Sequence, residues 1–375
     1  MRTFNVIIGS KAFFQEKIKD LSNAVYFLDL IKISDAYLGK KEPFPDELKA
    51  ELMILRNDNY LGITESANDR LGNLIYDLTT EDSTIWIHNP PSNLLFFLNN
   101  QSATSVIKLN TDEQKHDIVR NREKYLEGMD SIKENIIGQD NAVVEISKTL
   151  FYLTTVKRKK TYVIMLYGNS SIGKTEIVRE IARSFFGGRL LEQHLSMFKS
   201  SANSDYLFGD KPNRRSVGFD LLERESNLIF LDEFDKCADF FYSVFYTLFD
   251  NTVFKDAVYE VDVSGTLIIL TSNYSSEDEM KERMGLPIFY RIDKFVHFED
   301  FDSETIHRIV LKELDDKYEE YKEHFSKDDV YAIVSNRILM SGENARTIKN
   351  KVQEVLEELL FRAFLQKGEN ETFDT

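Results

Sequence analysis

"GNSSIGKTE", residues 168–176, follows the apolar run "TYVIMLY", residues 161–167, and precedes "IVREIARSFF", residues 177–186. An apolar run, a cluster of small residues and then apolar positions at three- and four-residue steps read as strand, loop and amphipathic helix. Within the loop, Gly168, Asn169, Ser170, Ser171, Ile172, Gly173, Lys174 and Thr175 match G-x-x-x-x-G-K-[ST] in full. The spacing has a physical cause. Glycines let the backbone curl so that successive N–H groups face phosphate oxygens, and the helix from about Lys174 to Phe186 adds the positive end of its dipole. Lys174 is then placed to neutralise β- and γ-phosphates, and the Thr175 hydroxyl to hold Mg²⁺. This one stretch predicts an α/β phosphate-loop fold on a parallel sheet.

Two further apolar runs end in polar tips. "NLIFLDEFDK", residues 227–236, delivers Asp232 and Glu233, 58 positions after Lys174. One carboxylate suits Mg²⁺, held through water, and the next suits polarising an attacking water. "GTLIILTSN", residues 265–273, ends in Asn273, whose amide can orient the same water. Three strands bringing polar tips to one sheet edge is the arrangement phosphoryl transfer requires, because the protein contributes positioning and electrostatics.

Composition limits the alternatives. The 375 residues are 42% hydrophobic and 29% charged, a globular profile with room for two or three domains. No apolar run approaches the length of a membrane span, and "MRTFNVIIGSKAFF" lacks a signal-peptide pattern, so a cytoplasmic protein without a membrane partner is expected. The single cysteine, Cys237, cannot form an intrachain disulfide and reads as inert. A net charge of −16 argues against a main task of holding duplex DNA. The longest basic run, "KRKK" at residues 157–160, reads as a solvated helix end.

The chain divides by pattern into blocks. Residues 1–110 alternate strand-like runs ("FNVIIG" 4–9, "AVYFLDLI" 24–31, "STIWIHNP" 83–90, "SVIKL" 105–109) with amphipathic stretches such as "ANDRLGNLIYDLTTE", which reads as a separate small α/β domain. The tip "HNPPSN" stands where open α/β sheets carry ligand loops, so His88 and Asn89 have a functional reading. The plainer reading is a turn stiffened by Pro90 and Pro91, with Ser92 or Asn93 capping the next helix. Residues 111–133 read as a charged linker that becomes helical, 134–300 as the nucleotide-binding α/β domain, 301–367 as a small helical lid and 368–375 as a flexible tail. No internal repeat stands out in the sequence.

From about Ile136 to Lys367 the chain resembles the AAA+ ATPases of the Clp type, in particular the second ATPase module of the two-ring Clp disaggregases and unfoldases. The resemblance rests on "IIGQDNAV" (136–143), the phosphate loop with "GKTE", "IFLDEFDK", "LTSN", "PIFYRIDKFVHF" (287–298) and "GENARTIKNKV" (342–352), in that order. It implies ATP and Mg²⁺ as ligands. Ile137 and Gly138 fall in the segment that lines the adenine pocket, and Gly168, Ser171, Ile172, Gly173, Lys174, Thr175 and Glu176 form the phosphate loop. Thr175 and Asp232 match the magnesium residues, Glu233 the catalytic carboxylate and Asn273 the polar sensor. Arg291 matches the arginine finger that reaches a neighbouring subunit's nucleotide, and Arg346 the second sensor on the lid. A finger supplied in trans implies a ring of identical subunits, a hexamer by analogy.

The departures shape the functional expectation. Where the Clp pattern has a pore loop with an exposed aromatic, "YLFGDKPNRRSVGFDLLERE" (206–225) centres on Lys211, Pro212, Asn213, Arg214 and Arg215, and Phe219 reads as the start of the next helix. Only 17 residues separate Asn273 from Arg291, too few for a protease-docking loop, so no ClpP-type protease partner is expected. The favoured expectation is an ATP-hydrolysing ring that remodels or unfolds protein clients selected by residues 1–110. The alternative is a non-threading ATPase switch that assembles with ATP to activate a dedicated partner or effector. A nucleic-acid remodeller is a third reading, weakened by the acidic charge.

Overall fold

The computed structural model describes residues 1–116, 121–199, 203–322, 324–337 and 342–371. The end of the expected tail, residues 372–375, and residues 117–120 of the expected linker lie outside them.

The first block holds strands β1 (Thr3–Ile8), β2 (Val25–Tyr26), β3 (Ala50–Leu55), β4 (Thr79–His88) and β5 (Lys108–Glu113), with helices α1 (Lys11–Ile18), α2 (Phe27–Gly39), α3 (Glu65–Asp69), α4 (Leu71–Asp77) and α5 (Ser92–Ala103). All five strands are parallel, in the order β2-β3-β4-β1-β5. Alternation along β1 sends Phe4 and Val6 into the core shared with α2, α4 and α5, and Ile7 into a smaller cluster under α1 with Phe14 and Ile18. Right-handed crossovers explain this split. The chain leaves β1 for the far edge and returns strand by strand, so α1 covers one face and the later helices the other.

The sequence reading differs here in three places. Strand β3 is not among the strand-like runs it picks out. "AVYFLDLI" is a strand only at Val25–Tyr26, after which the run forms α2 with Phe27 and Leu30 buried. A short apolar run fits a buried helix face as well as a strand. The capping residue of α5 is Pro91, with no side-chain cap, rather than Ser92 or Asn93.

Helix α6 (Arg122–Asn135), in the stretch expected as a linker, packs on the second block and buries Met129 and Ile132 in its core. Next come α7 (Asp140–Thr155), β6 (Tyr162–Tyr167), α8 (Lys174–Phe186), β7 (Leu191–His194), α9 (Ser204–Phe208), α10 (Val217–Glu223), β8 (Leu228–Asp232), α11 (Tyr242–Asp250) and the hairpin β9 (Val253–Lys255) and β10 (Glu260–Asp262). The block continues with β11 (Leu267–Ser272), α12 (Glu277–Met284), α13 (Leu286–Phe289) and β12 (Lys294–His297). The lid follows as α14 (Ser303–Tyr321), α15 (Lys327–Arg337) and α16 (Ala345–Glu371). Its sheet is parallel, in the order β12-β6-β11-β8-β7. Both faces are covered. Leu228 and Phe230 face one apolar cluster while Ile229 and Leu231 face the other, which is why these strands read as continuous apolar runs.

Phe230, in β8 between β11 and β7, has no exposed surface. Phe230→Ala is expected to destabilise the second block by about 3–5 kcal/mol through lost burial and the cavity left behind. Urea unfolding of the variant beside wild type, followed by far-UV circular dichroism, measures it.

Candidate nucleotide-binding site

The carboxyl edge of the second sheet gathers the polar tips. Register places Leu231 beside Leu270 and Tyr167 beside Ser272, so Gly168, Asp232, Thr271 and Asn273 stand along one edge. Between this edge and the lid lies a cavity of about 400 Å³. Ser171, Gly173, Lys174, Thr175 and Glu176 of the loop and Asp232, Glu233 and Asn273 of the strand tips line it, and Arg346 enters from α16.

The loop is built from unusual backbone. Gly168 has φ +133°, Gly173 +102° and Ser171 +62°, so the chain repeatedly enters the left-handed region. A side chain at Gly168 has no room, because its Cβ would lie 2.4 Å from the carbonyl oxygen of Phe298. Ile172 is buried under the loop, next to Gly168. Lys174 starts α8 and donates from Nζ to the carbonyls of Gly168 (2.7 Å) and Asn169 (2.5 Å), with Asn273 Oδ1 at 3.3 Å. Burial pushes its ammonium down to about 8, against the pull of Asp235 and Asp232. A cation held at reduced charge stability by desolvation is one that an incoming polyphosphate stabilises.

The acidic tip is held by a hydroxyl that the sequence reading missed. Thr271 Oγ1 donates to Asp232 Oδ1 and accepts from the Glu233 N–H at 3.0 Å. Glu233 has φ +56°, a costly conformation for a residue with a Cβ, and its position at a strand tip beside the loop ties that strain to the site. On the far side of Asp232, His194 Nδ1 lies 3.4 Å from Oδ2, because register sets these two residues side by side at the ends of β7 and β8. His194 gave no sequence signal, since nothing local marks an edge strand's last residue as a neighbour of the next strand.

The lid closes the cavity from above. The Ala345 N–H donates to the Ser171 carbonyl at 2.9 Å, docking the start of α16 on the loop. Lys349 and Asn350 line the cavity with Arg346. Their three- and four-residue spacing put them on one helical face, a signal available in the sequence and not used. Ile137 and Gly138 do not line the cavity. They sit beside it: Gly138, at φ +72°, packs against Thr305 of the lid, and the neighbouring Gln139 Nε2 donates to the Ile172 carbonyl at 3.1 Å.

Arg291 stands apart. It precedes β12 at the amino edge of the sheet, ion-paired with Asp250 and resting on the Tyr246 ring at 4.4 Å, away from the cavity of its own chain. In the 206–225 segment, Arg214 pairs with Asp205 and Arg215 with Asp220, both arginines are exposed, and Phe219 is buried in α10. Exposed aromatic residues are absent from that segment, all of which is described. Cys237 is buried, its thiol pushed up to about 12 by desolvation, as expected of an inert side chain.

The donor set fits a magnesium–polyphosphate ligand. Thr175 and Asp232 offer hard oxygen donors suited to Mg²⁺. The buried Ser272 Oγ, on the cavity wall, has no hydrogen-bond partner. No helix among the described residues is long and apolar enough to cross a membrane.

Comparison with known proteins agrees with this geometry. The family profile described as AAA domain (Cdc48 subfamily) matches residues 159–366. The chain is 30% identical over 158 residues to chaperone protein ClpB of Yersinia enterocolitica, covering 39% of this chain and 18% of that protein. It is 30% identical over 158 residues to the AAA+ ATPase ClpV1 of Pseudomonas aeruginosa, with the same coverage. To the negative regulator of genetic competence ClpC/MecB of Bacillus subtilis it is 23% identical over 302 residues, 67% of this chain and 37% of that protein. The chain thus spans less than two fifths of the length of these relatives.

Proposed function

From the premise that the chain belongs to the AAA domain (Cdc48 subfamily) family and is an AAA+ ATPase of the Clp type, we propose that it hydrolyses ATP to ADP and phosphate in a ring of identical subunits, a hexamer by analogy, and uses the energy to remodel protein clients chosen by residues 1–110. In this reading residues 134–300 form the nucleotide domain and 301–367 its lid. The observation that carries the proposal is the convergence of Lys174, Asp232, Glu233 and Asn273, with Arg346 from the lid, on one cavity of about 400 Å³.

The residues divide the work. Loop N–H groups and Lys174 bind the β- and γ-phosphates, and Thr175 and Asp232 hold Mg²⁺. The metal, when bound, supplies charge neutralisation to the β- and γ-oxygens. Glu233 takes a proton from water as its oxygen bonds to the γ-phosphorus, and the bond from that phosphorus to the bridging oxygen breaks, leaving ADP. Asn273 orients that water from the neighbouring strand. Arg346 brings positive charge from the lid, so closure of α16 and binding of nucleotide favour each other.

A second reading has its own support. Without an exposed aromatic, and with Arg214 and Arg215 tied to Asp205 and Asp220, the 206–225 segment has little with which to grip an apolar chain. That favours an ATP-driven switch acting on one dedicated partner or effector without threading.

A trap experiment separates the readings. Tagged Glu233→Gln protein is recovered from its native cell with ATP and Mg²⁺, beside a Lys174→Ala control. Many diverse proteins held only by the trap support remodelling and sink the switch. One dominant partner, lost when residues 1–110 are removed, supports the switch.

A further inference from the structure

The two sheets of this chain are built to one plan. Numbered from 1 to 5 in chain order within each block, the strands of both run 5-1-4-3-2, all parallel. Connection rules leave several orders open to a five-stranded parallel sheet, so sharing this one is informative. The tips correspond as well. In each block a glycine, Gly9 or Gly168, follows the first strand, and the next helix starts at a lysine, Lys11 or Lys174. An aspartate stands at or just beyond the third strand, Asp58 or Asp232, and an asparagine follows the fourth, Asn89 or Asn273. Lys11 Nζ lies 3.7 Å from Asp58, much as Lys174 faces Asp232 and Asp235.

The first block lacks what would hold a nucleotide. Gly9 and Ser10 alone join β1 to α1, where residues 168–173 join β6 to α8, so no loop is left to encircle a phosphate. Ala12 stands after Lys11, where Thr175 offers a hydroxyl.

A carboxylate from the second block occupies the equivalent place. Glu223, the last residue of α10, accepts from the Lys11 N–H at the start of α1 (3.0 Å), from Asn57 Nδ2 (2.9 Å) and from Asn89 Nδ2 (3.4 Å). His88 Nε2 donates to the Gly9 carbonyl at 2.8 Å and lies 3.7 Å from Glu223. Asn57 is 2% exposed, and its Oδ1 has no partner although its amide points into the same crevice. The crevice is also where the sheet's connections diverge, α1 to one face and α5 to the other, the position at which open α/β sheets take ligands. Around it, the Ser92 N–H donates to the Val258 carbonyl at 2.8 Å, and Ile8 and Leu61 pack on the second block's core.

We propose that residues 1–113 are a degenerate copy of the chain's own nucleotide-binding module, whose phosphate position no longer takes nucleotide and instead holds the Glu223 carboxylate as a latch between the two blocks. Helix α10 makes the latch mechanical. It runs from the Arg214–Arg215 loop to Glu223 over about 10 Å, so movement of that loop is passed to the first block. If residues 1–110 select clients in a ring, as proposed above, this ties that block to the segment at the pore-loop position of the Clp pattern.

Site-resolved hydrogen exchange on the full chain, with inorganic pyrophosphate as probe, tests this. In wild type, pyrophosphate is expected to slow exchange at residues 168–176 and leave residues 9–14 unchanged. In Glu223→Ala, residues 9–14 should exchange at least tenfold faster, and pyrophosphate should leave that rate unchanged. Glu223→Gln, which keeps the shape and loses the charge, should give a smaller increase at 9–14, and exchange across 162–167 reports whether each variant is folded. Pyrophosphate protection of 9–14 in wild type would mean a working anion site and overturn the latch. So would unchanged exchange at 9–14 in both folded variants. Loss of protection at 168–176 instead counts against the ATPase reading and leaves the latch result legible.

Discussion

Glu233→Gln is expected to lower ATP hydrolysis by about a thousandfold, within the range for a lost general base, while ATP affinity stays at the wild-type level. The substitution is nearly isosteric, and the contact that fixes residue 233, its N–H on Thr271 Oγ1, comes from the backbone and survives. The left-handed turn at φ +56° therefore still aims the side chain into the cavity, but an amide cannot take the proton from water. In the proposed mechanism the phosphate and magnesium contacts belong to Lys174, Thr175 and Asp232, which are untouched. Single-turnover hydrolysis with titration calorimetry separates the two effects. A fall of less than tenfold would assign the base elsewhere.

What the sequence made legible was whatever local pattern encodes. The phosphate loop, the apolar strands behind Asp232 and Asn273, and the Arg346 face are each written within about a dozen residues, and both covered faces of the second sheet leave continuous apolar runs. Fold class and the convergence of Lys174, Asp232, Glu233 and Asn273 followed from these. The first block was harder because its strands are short and uneven. β2 is two residues long, and β3, "AELMIL", though bracketed by Pro45 and Asn57, neither alternates apolar with polar residues nor forms a long apolar run. Register between distant strands is also invisible in a single sequence, so Thr271 over Asp232, His194 beside it and Glu223 against Asn57 could not be read. The shared strand order of the two blocks left no repeat in the residues, because burial constrains apolar character and spacing rather than identity.

Arg291→Ala is expected to cost about a thousandfold in hydrolysis, at the lower end for a lost arginine finger, with nucleotide binding intact. Geometry makes the effect intermolecular. Arg291 stands at the amino edge of the sheet, where the following Asp293 N–H bonds the Val163 carbonyl at 2.9 Å, whereas the cavity opens at the carboxyl edge. The six residues of β6 between them span about 20 Å, beyond the reach of any side chain. If Arg291 acts on a nucleotide, that nucleotide belongs to a neighbour, and its ion pair with Asp250 is exchanged for phosphate on assembly. Mixing decides the point. In rings formed from equal amounts of Arg291→Ala and Glu233→Gln protein, roughly a quarter of interfaces join an intact Glu233 to an intact Arg291 from the adjacent subunit. Hydrolysis should recover to about that fraction of wild type, although each variant alone is nearly inactive. An arginine acting within its own chain leaves every site of the mixture defective, so absence of recovery would remove the ring from the catalytic mechanism.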